Sequence, residues 1–251
     1  MATVSPPETA RSTPSRMVSV PSGLLTSLRN FRASRTVFLS MRIALWLSCC
    51  LLLLGLAATP PAGAAAAERP AILVLGDSLS AGYGLKVEQG WVSLLQRRLD
   101  AQGYGYRLVN ASVSGETTGG GLARLPRALE RHRPAVVVIA LGGNDGLRGL
   151  PVSELRGNLE AMIRQSRAAG ARVLLAGMRI PTNYGPQYTE KFFAVYADLA
   201  KAERVALVPF FLEGIALRED LFQDDGIHPN VEAQPILLAN LWPVLEPLLE
   251  R

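Results

Sequence analysis

Cysteine is nearly absent from this sequence, and its two copies are adjacent. Cys49 and Cys50 both lie in the first fifth of the chain. Residues 68–251 therefore contain no cysteine, which excludes a disulfide framework, a thiol nucleophile and a thiolate metal site from that segment. A segment of this length can bury an ordinary hydrophobic core without such cross-links.

An excess of positive charge is also missing from most of the chain. The full sequence has a formal net charge of +5 and a pI of about 9.6, values that would suggest a nucleic-acid partner. Residues 1–67 contain six arginines and one glutamate, so residues 68–251 carry 20 basic and 20 acidic side chains. Because that segment is neutral, we predict no nucleic-acid partner.

Long apolar runs are scarce as well. The run IALWLSCCLLLLGLAA, at residues 43–58, would be about 24 Å long as a helix, shorter than the ~30 Å hydrocarbon core of a bilayer. Arg42 precedes it and Ala62-Gly63-Ala64 follows it, a pattern typical of a secretory signal peptide. We predict that residues 1–67 are a leader, that the protein is exported to the periplasm or the medium, and that no stable membrane span remains after processing.

Other interpretations of the leader stay open. The apolar run could remain uncleaved as a membrane anchor. Cys49 could carry a lipid, although the preceding residues Trp-Leu-Ser make a poor lipoprotein signal. Translation could begin at Met1, Met17 or Met41, since the segment before the apolar run offers little to bury.

Short apolar runs alternate with amphipathic segments after residue 68. Apolar stripes beginning at Trp91, Leu155 and Phe192 have the spacing of one helix face. Between them, continuous apolar runs indicate strands buried on both faces. The five runs are residues 72–75, 107–110, 135–141, 173–178 and 205–210. The alternation predicts an α/β domain at residues 68–251 with a five-stranded parallel sheet.

Polar residues follow three of the predicted strands. Ligands of parallel α/β sheets bind beyond the carboxyl ends of the strands. Ser78 follows the first run, Gly115 lies in the segment after the second, and Asn144 follows the third. Each of these residues is also common in ordinary turns. Their joint position at successive strand ends favours a functional site.

Only two histidines are available as a catalytic base. His132 lies in a charged connector before the third strand, at the wrong end of the sheet, and we expect it to be a solvated surface residue. His228 precedes Pro229, which favours extended backbone. Asn230 can then cap a helix that begins at Val231. His228 is therefore the candidate base.

A serine nucleophile needs such a base, and the base needs a carboxylate that sets its tautomer. Asp225 lies three residues before His228, so its carboxylate can fold back toward Nδ1 and leave Nε2 free for Ser78. Asp224 is the competing carboxylate. The same stretch also fits an Asx-type turn.

Acyl transfer further requires hydrogen-bond donors for the oxyanion. The N–H of Ser78 is one source, especially if a helix begins there. Gly115 offers a second, because a residue without Cβ lets the backbone approach substrate closely. The side-chain amide of Asn144 offers a third.

Four segments of this chain carry a resemblance to a known family. In order, LVLGDSLSAGYG, LVNASVSGETTGGGLARL, IALGGNDGLRG and QDDGIHPN resemble the four sequence blocks of the GDSL or SGNH hydrolase superfamily. The residues of these segments are most similar to those of the bacterial periplasmic branch of multifunctional acyl-CoA thioesterases, lysophospholipases and arylesterases. The resemblance covers nearly all of residues 68–251 and implies a three-layer α/β/α sandwich with a flavodoxin-like sheet.

The resemblance also implies roles for individual residues. Ser78 would be the nucleophile, and Asp225 and His228 would complete the triad. The oxyanion would be bound by the N–H of Ser78, the N–H of Gly115 and the amide of Asn144.

A fifth segment, RIPTNYG, matches a loop that shapes the acyl-binding side in this branch. Ile180 and Pro181 are accordingly candidate substrate contacts.

We therefore expect a serine hydrolase that cleaves small carboxylic esters and acyl thioesters through an acyl-serine intermediate. No metal or organic cofactor is expected, and a monomer is the favoured state. One alternative is an esterase that removes acetyl groups from polysaccharide or peptidoglycan.

A more distant alternative is a nucleotide- or flavin-binding module. In it, residues 117–121 would form the start of a helix whose N-terminus binds an anion. Against it, the chain lacks G-x-x-x-x-G-K-[ST] and a correctly placed G-x-G-x-x-G. The G-x-S-x-G pattern of α/β-hydrolases is not met at Ser78 either.

Overall fold

The computed structural model describes residues 69–250. The predicted leader, with its apolar core at 43–58, lies outside the described residues, as do both cysteines and the candidate start methionines.

Five parallel strands form one sheet in the order β2-β1-β3-β4-β5. They are β1 Ala71–Gly76, β2 Arg107–Asn110, β3 Val136–Ala140, β4 Arg172–Ala176 and β5 Ala206–Val208. Each lies within two residues of its predicted run, so the five-stranded parallel sheet is confirmed. Strand β2 lies on one side of β1, and β3 to β5 follow on the other side. The direction in which successive strands are added therefore reverses at β1, and flavodoxin-like sheets bind ligands at such a switch point.

Helices cover both faces of this sheet. In the described part of the chain they are α1 Ser78–Ala81, α2 Trp91–Ala101, α3 Thr118–His132, α4 Gly143–Leu147, α5 Val152–Ala168, α6 Pro186–Glu203 and α7 Gln234–Leu245. Helix α2 packs with α7, whereas α3 packs with α5 and α5 with α6. Strands β1 and β3 are consequently buried along their whole length. The predicted α/β/α sandwich is confirmed.

The predicted apolar stripes face this core. Trp91, Leu95 and Leu99 are fully buried on α2, and most of the stripe residues of α5 and α6 are buried as well. Gly103 and Gly170 follow the ends of α2 and α5 with φ of 76° and 84°, a conformation that glycine adopts without steric cost. Core packing therefore explains these stripes.

The last helix begins later than predicted. Asn230 Oδ1 does accept a backbone N–H, that of Ala233, at 3.3 Å. Residues 231–233 nevertheless form a turn, and α7 starts at Gln234. Pro235 has no N–H to donate to the carbonyl of Val231, so the helical hydrogen-bond ladder cannot include that residue.

The predicted placement of His132 is only partly right. The residue does precede β3, at the amino end of the sheet. It is, however, the last residue of α3 and is partly buried, not part of a solvated connector. The helix ends at this point because Arg133 takes the left-handed conformation, with φ of 41°, and caps the helix through a hydrogen bond from its N–H to the carbonyl of Leu129.

The residues from 69 to 250 include no helix whose length and hydropathy would let it cross a bilayer.

Candidate active site

Ser78 lies at the carboxyl end of β1, where the strand turns into α1. Asp77 caps that helix, because its Oδ1 accepts the N–H of Leu79 at 3.0 Å. As the first helical residue, Ser78 has a backbone N–H without an intrahelical acceptor. A Cβ on Gly76 would lie 2.6 Å from Ser80 Oγ, so only glycine fits at the end of the strand. The turn therefore presents both the hydroxyl and the N–H of Ser78 at the switch point.

Three predicted residues form one chain of contacts. His228 Nε2 lies 2.9 Å from Ser78 Oγ, and His228 Nδ1 lies 2.7 Å from Asp225 Oδ2. A carboxylate only accepts hydrogen bonds, so the proton of the neutral imidazole is assigned to Nδ1. Nε2 is then free to accept the Ser78 hydroxyl proton. The geometry suits a serine nucleophile with a histidine base.

A tight turn holds Asp225 against the ring. Asp225 Oδ1 accepts the backbone N–H groups of Ile227 and His228, each at 2.9 Å. Gly226, which lies between Asp225 and Ile227, has a positive φ of 64°. The Asx-type turn considered as an alternative is thus present, and the same turn aims the second carboxylate oxygen at the imidazole. Asp224 makes no hydrogen bond to His228 in the described structure.

The carboxylate of Asp225 is strongly stabilised in its charged form. The backbone N–H of His228, then its imidazole, then the N–H of Ile227 lower the pKa of Asp225 to about 2. The group therefore remains ionised at every pH at which an imidazole is neutral.

Asp77 is a second carboxylate near the site, in a different environment. Burial raises its pKa to about 6, although the Leu79 N–H and the nearby His228 partly oppose this shift. Its Oδ2 lies 3.5 Å from the side-chain nitrogen of Asn144. The group is therefore poised to change charge near neutral pH.

Asn144 connects two of the predicted segments. It lies in α4, after β3, and its amide donates to the carbonyl of Glu116 at 3.0 Å. It also faces Asp77, which is next to Ser78. Gly115, adjacent to Glu116, is exposed with φ of 79°, and no hydrogen bond among the described residues uses its N–H. The three predicted oxyanion donors thus lie on segments that Asn144 links.

Sequence reasoning missed a buried network behind these donors. Asp145 accepts two hydrogen bonds from Thr118, one from the backbone N–H at 2.9 Å and one from Oγ1 at 2.5 Å. Thr118 Oγ1 in turn accepts from the amide of Asn158 at 3.1 Å. Asp145 and Thr118 are both buried. The sequence signal was the aspartate directly after Asn144, which a turn explains equally well.

The same network bears on the alternative of an anion-binding module. The first N–H of α3 already has a partner, Oδ2 of Asp145. A Cβ on Gly120 would lie 1.8 Å from a carboxylate oxygen of Glu116, so this second carboxylate also lies against the helix start. Two side chains of the protein therefore lie at the start of α3, where a phosphate would need free N–H groups.

The two predicted acyl contacts differ in exposure. Ile180 is only 8% exposed and packs so closely on α4 that a Cβ on Gly146 would lie 2.4 Å from it. Pro181 is exposed and precedes a short 3₁₀ helix, Thr182–Tyr184. Contact of either residue with substrate stays a prediction.

Exposed apolar side chains lie close in sequence to the site residues. Tyr83 is 52% exposed, Leu147 41% and Ile227 53%. They follow Ser78, Asn144 and Asp225 by two to five positions. Residues 69–250 contain no group of three or more His, Asp or Glu side chains arranged to hold a metal ion.

The sequence matches a known family over most of this domain. The profile of the GDSL-like Lipase/Acylhydrolase family covers residues 74–235. All three residues of the contact chain and both further oxyanion candidates lie within the matched segment.

Three curated proteins are similar to this chain. Esterase TesA of Pseudomonas aeruginosa is 57% identical over 178 residues, which are 71% of this chain and 89% of that protein. An arylesterase of Vibrio mimicus is 48% identical over 65% of this chain and 82% of its own length. Thioesterase 1/protease 1/lysophospholipase L1 of Escherichia coli is 45% identical over 73% and 87%.

Solved structures show the same similarity. The crystal structure of TesA has a TM-score of 0.70 at 57% identity and covers 71% of this chain and 99% of its own. The esterase EstA from Pseudoalteromonas sp., inhibited by monoethylphosphonate, has a TM-score of 0.68 at 45% identity, with coverage of 70% and 97%. AlinE4, an SGNH-hydrolase family esterase, has a TM-score of 0.61 at 38% identity, with coverage of 73% and 98%.

Proposed function

This chain belongs to the GDSL-like lipase/acylhydrolase family and is an SGNH-type ester hydrolase, and from that premise we propose that it is an exported serine esterase acting through an acyl-serine intermediate. The observation that carries the proposal is the contact chain from Asp225 through His228 to Ser78. Its substrates are carboxylic esters and acyl thioesters.

In the first half of the reaction, Ser78 Oγ attacks the substrate carbonyl carbon. Its proton passes to His228 Nε2 while a new carbon–oxygen bond forms and the carbonyl oxygen becomes an oxyanion. The tetrahedral intermediate then expels the leaving group as its bond to carbon breaks. His228 returns the proton to that alcohol or thiol, which leaves an ester on Ser78.

In the second half, water replaces the leaving group. His228 takes a proton from the water as its oxygen attacks the acyl-serine carbonyl. The second tetrahedral intermediate collapses, the bond to Ser78 Oγ breaks, and His228 gives the proton back to the serine. The carboxylic acid is released and the enzyme returns to its starting state.

Asp225 and the oxyanion donors stabilise the charges that these steps create. Asp225 stays ionised opposite the imidazolium and keeps its ring in the productive tautomer. The N–H of Ser78, the N–H of Gly115 and the amide of Asn144 bind the oxyanion. The 3.5 Å hydrogen bond from Asn144 to Asp77 is long and therefore weak. The amide hydrogen can exchange this acceptor for the substrate oxyanion at little cost. Each donor typically contributes about 10²–10³-fold in rate.

The names of the relatives support the substrate class, since they include an esterase, an arylesterase and a thioesterase/lysophospholipase. The exposed side chains of Leu147 and Ile227 favour an apolar acyl chain over a sugar. A series of p-nitrophenyl esters and acyl-CoAs of increasing chain length tests this choice. A strict preference for acetyl would support removal of acetyl groups from polysaccharide or peptidoglycan.

Export rests on residues 1–67, whose basic start, apolar run and small-residue exit support a cleaved signal peptide. Expression of the full chain in a bacterial host, followed by N-terminal sequencing of the periplasmic fraction, tests it. Retention of the intact chain in the membrane fraction would support the anchor.

The central experiment is replacement of the nucleophile. We expect Ser78→Ala to abolish hydrolysis of p-nitrophenyl butyrate and labelling by a fluorophosphonate, while urea denaturation shows an intact fold. A phosphonate reagent suits this purpose because EstA, an esterase 45% identical to this chain, is inhibited by monoethylphosphonate. Turnover retained by the alanine variant would refute the proposal.

A further inference from the structure

Gln223 bonds two distant segments through one side chain. Its amide nitrogen donates to the carbonyl of Tyr83 at 2.8 Å and to the carbonyl of Pro229 at 3.3 Å. An amide nitrogen has two hydrogens, so both are used. Tyr83 belongs to the segment of Ser78, and Pro229 directly follows His228. The side chain therefore ties the serine segment to the histidine segment.

The backbone of Gln223 closes the histidine turn as well. Its N–H donates to the carbonyl of His228 at 2.8 Å, next to an antiparallel bridge between Phe222 and Pro229. The turn that carries Asp225 and His228 is thereby closed at its base.

The serine segment is shaped to receive this amide. Gly84 has φ of 74°, and a Cβ there would lie 2.0 Å from Gln223 Oε1. Glycine at 84 therefore gives the amide room. Tyr83 donates its own N–H to the carbonyl of Ser78 at 3.1 Å. With its carbonyl bound by Gln223, the Tyr83 backbone is anchored on both sides.

The Tyr83 ring lies against the imidazole of His228. The two ring centroids are 4.4 Å apart and the planes are inclined by 35°. The Tyr83 hydroxyl makes no hydrogen bond to another described residue, and the side chain is half exposed. The contact therefore depends on the aromatic face, which attracts a positive charge.

We infer that Tyr83 and Gln223 form a positioning clamp for His228. Gln223 sets the separation of the two segments and thus the approach of Nε2 to Ser78 Oγ. Tyr83 restricts the tilt of the imidazole and favours the positive charge that develops on it when Ser78 loses its proton. This inference rests on the proposed function, since it concerns the same proton transfer.

The first test compares two substitutions at Tyr83. Phe keeps the aromatic face, and Ala removes it without disturbing a buried core. We expect Y83A to lower kcat for p-nitrophenyl butyrate by about 10-fold with KM changed less than about twofold, and Y83F to stay within about twofold of wild type. The rate of fluorophosphonate labelling should fall with kcat. Leu217→Ala, which removes an apolar side chain that is 99% exposed, is the control.

The second test addresses the bridge. We expect Q223A to lower kcat and the labelling rate by about 10-fold, and Q223E to lower them further, because a carboxylate would face two carbonyl oxygens. Gln102→Ala, at an exposed position after α2, is the matched control. Free energies of unfolding from urea titrations separate lost activity from lost fold.

The outcomes separate the clamp from the proposed function. Labelling of Y83A and Q223A at the wild-type rate would refute the clamp. A rise in KM of Y83A at unchanged kcat would also refute it, because Tyr83 would then be a substrate contact. An equal loss in Y83F and Y83A would assign the effect to the hydroxyl and also refute it. Labelling or turnover that persists in S78A would instead refute the serine mechanism itself.

Discussion

The carboxylate of Asp225 holds His228 with both of its oxygens. Oδ1 accepts the backbone N–H of His228 at 2.9 Å, and Oδ2 lies 2.7 Å from Nδ1 of the same residue. One side chain therefore holds both the backbone and the ring of the histidine, and it determines which ring nitrogen carries the proton.

The two adjacent aspartates should differ sharply in importance. We expect Asp225→Asn to reduce kcat for p-nitrophenyl butyrate by about 10³–10⁴-fold, because an amide donor at Nδ1 favours the wrong tautomer. Asp224→Asn is the matched control and should stay within about twofold of wild type. A larger loss in the Asp224 variant would transfer the role to that residue.

Asp77 should make stability depend on pH. Its pKa is about 6 in the folded protein and about 3.9 in an unfolded chain. Between these values the folded state retains a proton that the unfolded chain releases. The stability linked to Asp77 is therefore present at low pH and is lost as pH rises through 6.

Asp77→Asn cannot ionise and should not lose this stability. Its amide oxygen can still cap α1 through the Leu79 N–H. We expect the free energy of unfolding of the variant minus that of wild type to be about 1 kcal/mol larger at pH 8 than at pH 5. Urea titrations at the two pH values measure the difference. A constant offset between the two proteins would mean that Asp77 does not titrate in this range.

Thr118 should contribute to activity without approaching substrate. Thr118→Val keeps the shape but removes the hydroxyl that donates to Asp145 and accepts from Asn158. We expect a loss of about 1–3 kcal/mol of stability, because buried polar groups lose their partner. We also expect kcat to fall on the order of 10-fold as Asn144 shifts. Thr118→Ser should restore both properties, and no recovery of kcat would contradict the assignment.

Gly142 should tolerate no side chain. It has φ of 115°, and a Cβ there would lie 2.1 Å from the Tyr196 hydroxyl and 2.9 Å from Leu155. We expect Gly142→Ala to cost about 3 kcal/mol of stability, the sum of backbone strain and overpacking. Gly149→Ala is the control, since its φ is 65° but no atom lies within 4 Å of the added Cβ; it should cost about 1 kcal/mol. Equal losses would show that crowding by Tyr196 does not matter.

Local patterns carried much of the architecture. The continuous apolar runs of β1 and β3 indicated strands buried on both faces, and both strands are fully buried. The start of α7 was misplaced because the cap at Asn230 is real but Pro235 interrupts the helical ladder. A capping residue fixes one hydrogen bond, and the residues beyond it decide whether a helix follows.

The sequence alone determined the sheet, the direction of its strands and the polar residues at their carboxyl ends, because burial periodicity and turn chemistry act over a few neighbouring residues. The sequence favoured Asp225 over Asp224 as the partner of His228, and only the tertiary structure shows that contact. Only the tertiary structure decided that Asp145 bonds Thr118 and that Gln223 joins Tyr83 to Pro229. These contacts depend on turn dihedrals and on packing between segments far apart in the chain. A residue pattern specifies neither the dihedrals nor the packing, since the same residues are compatible with a solvated turn.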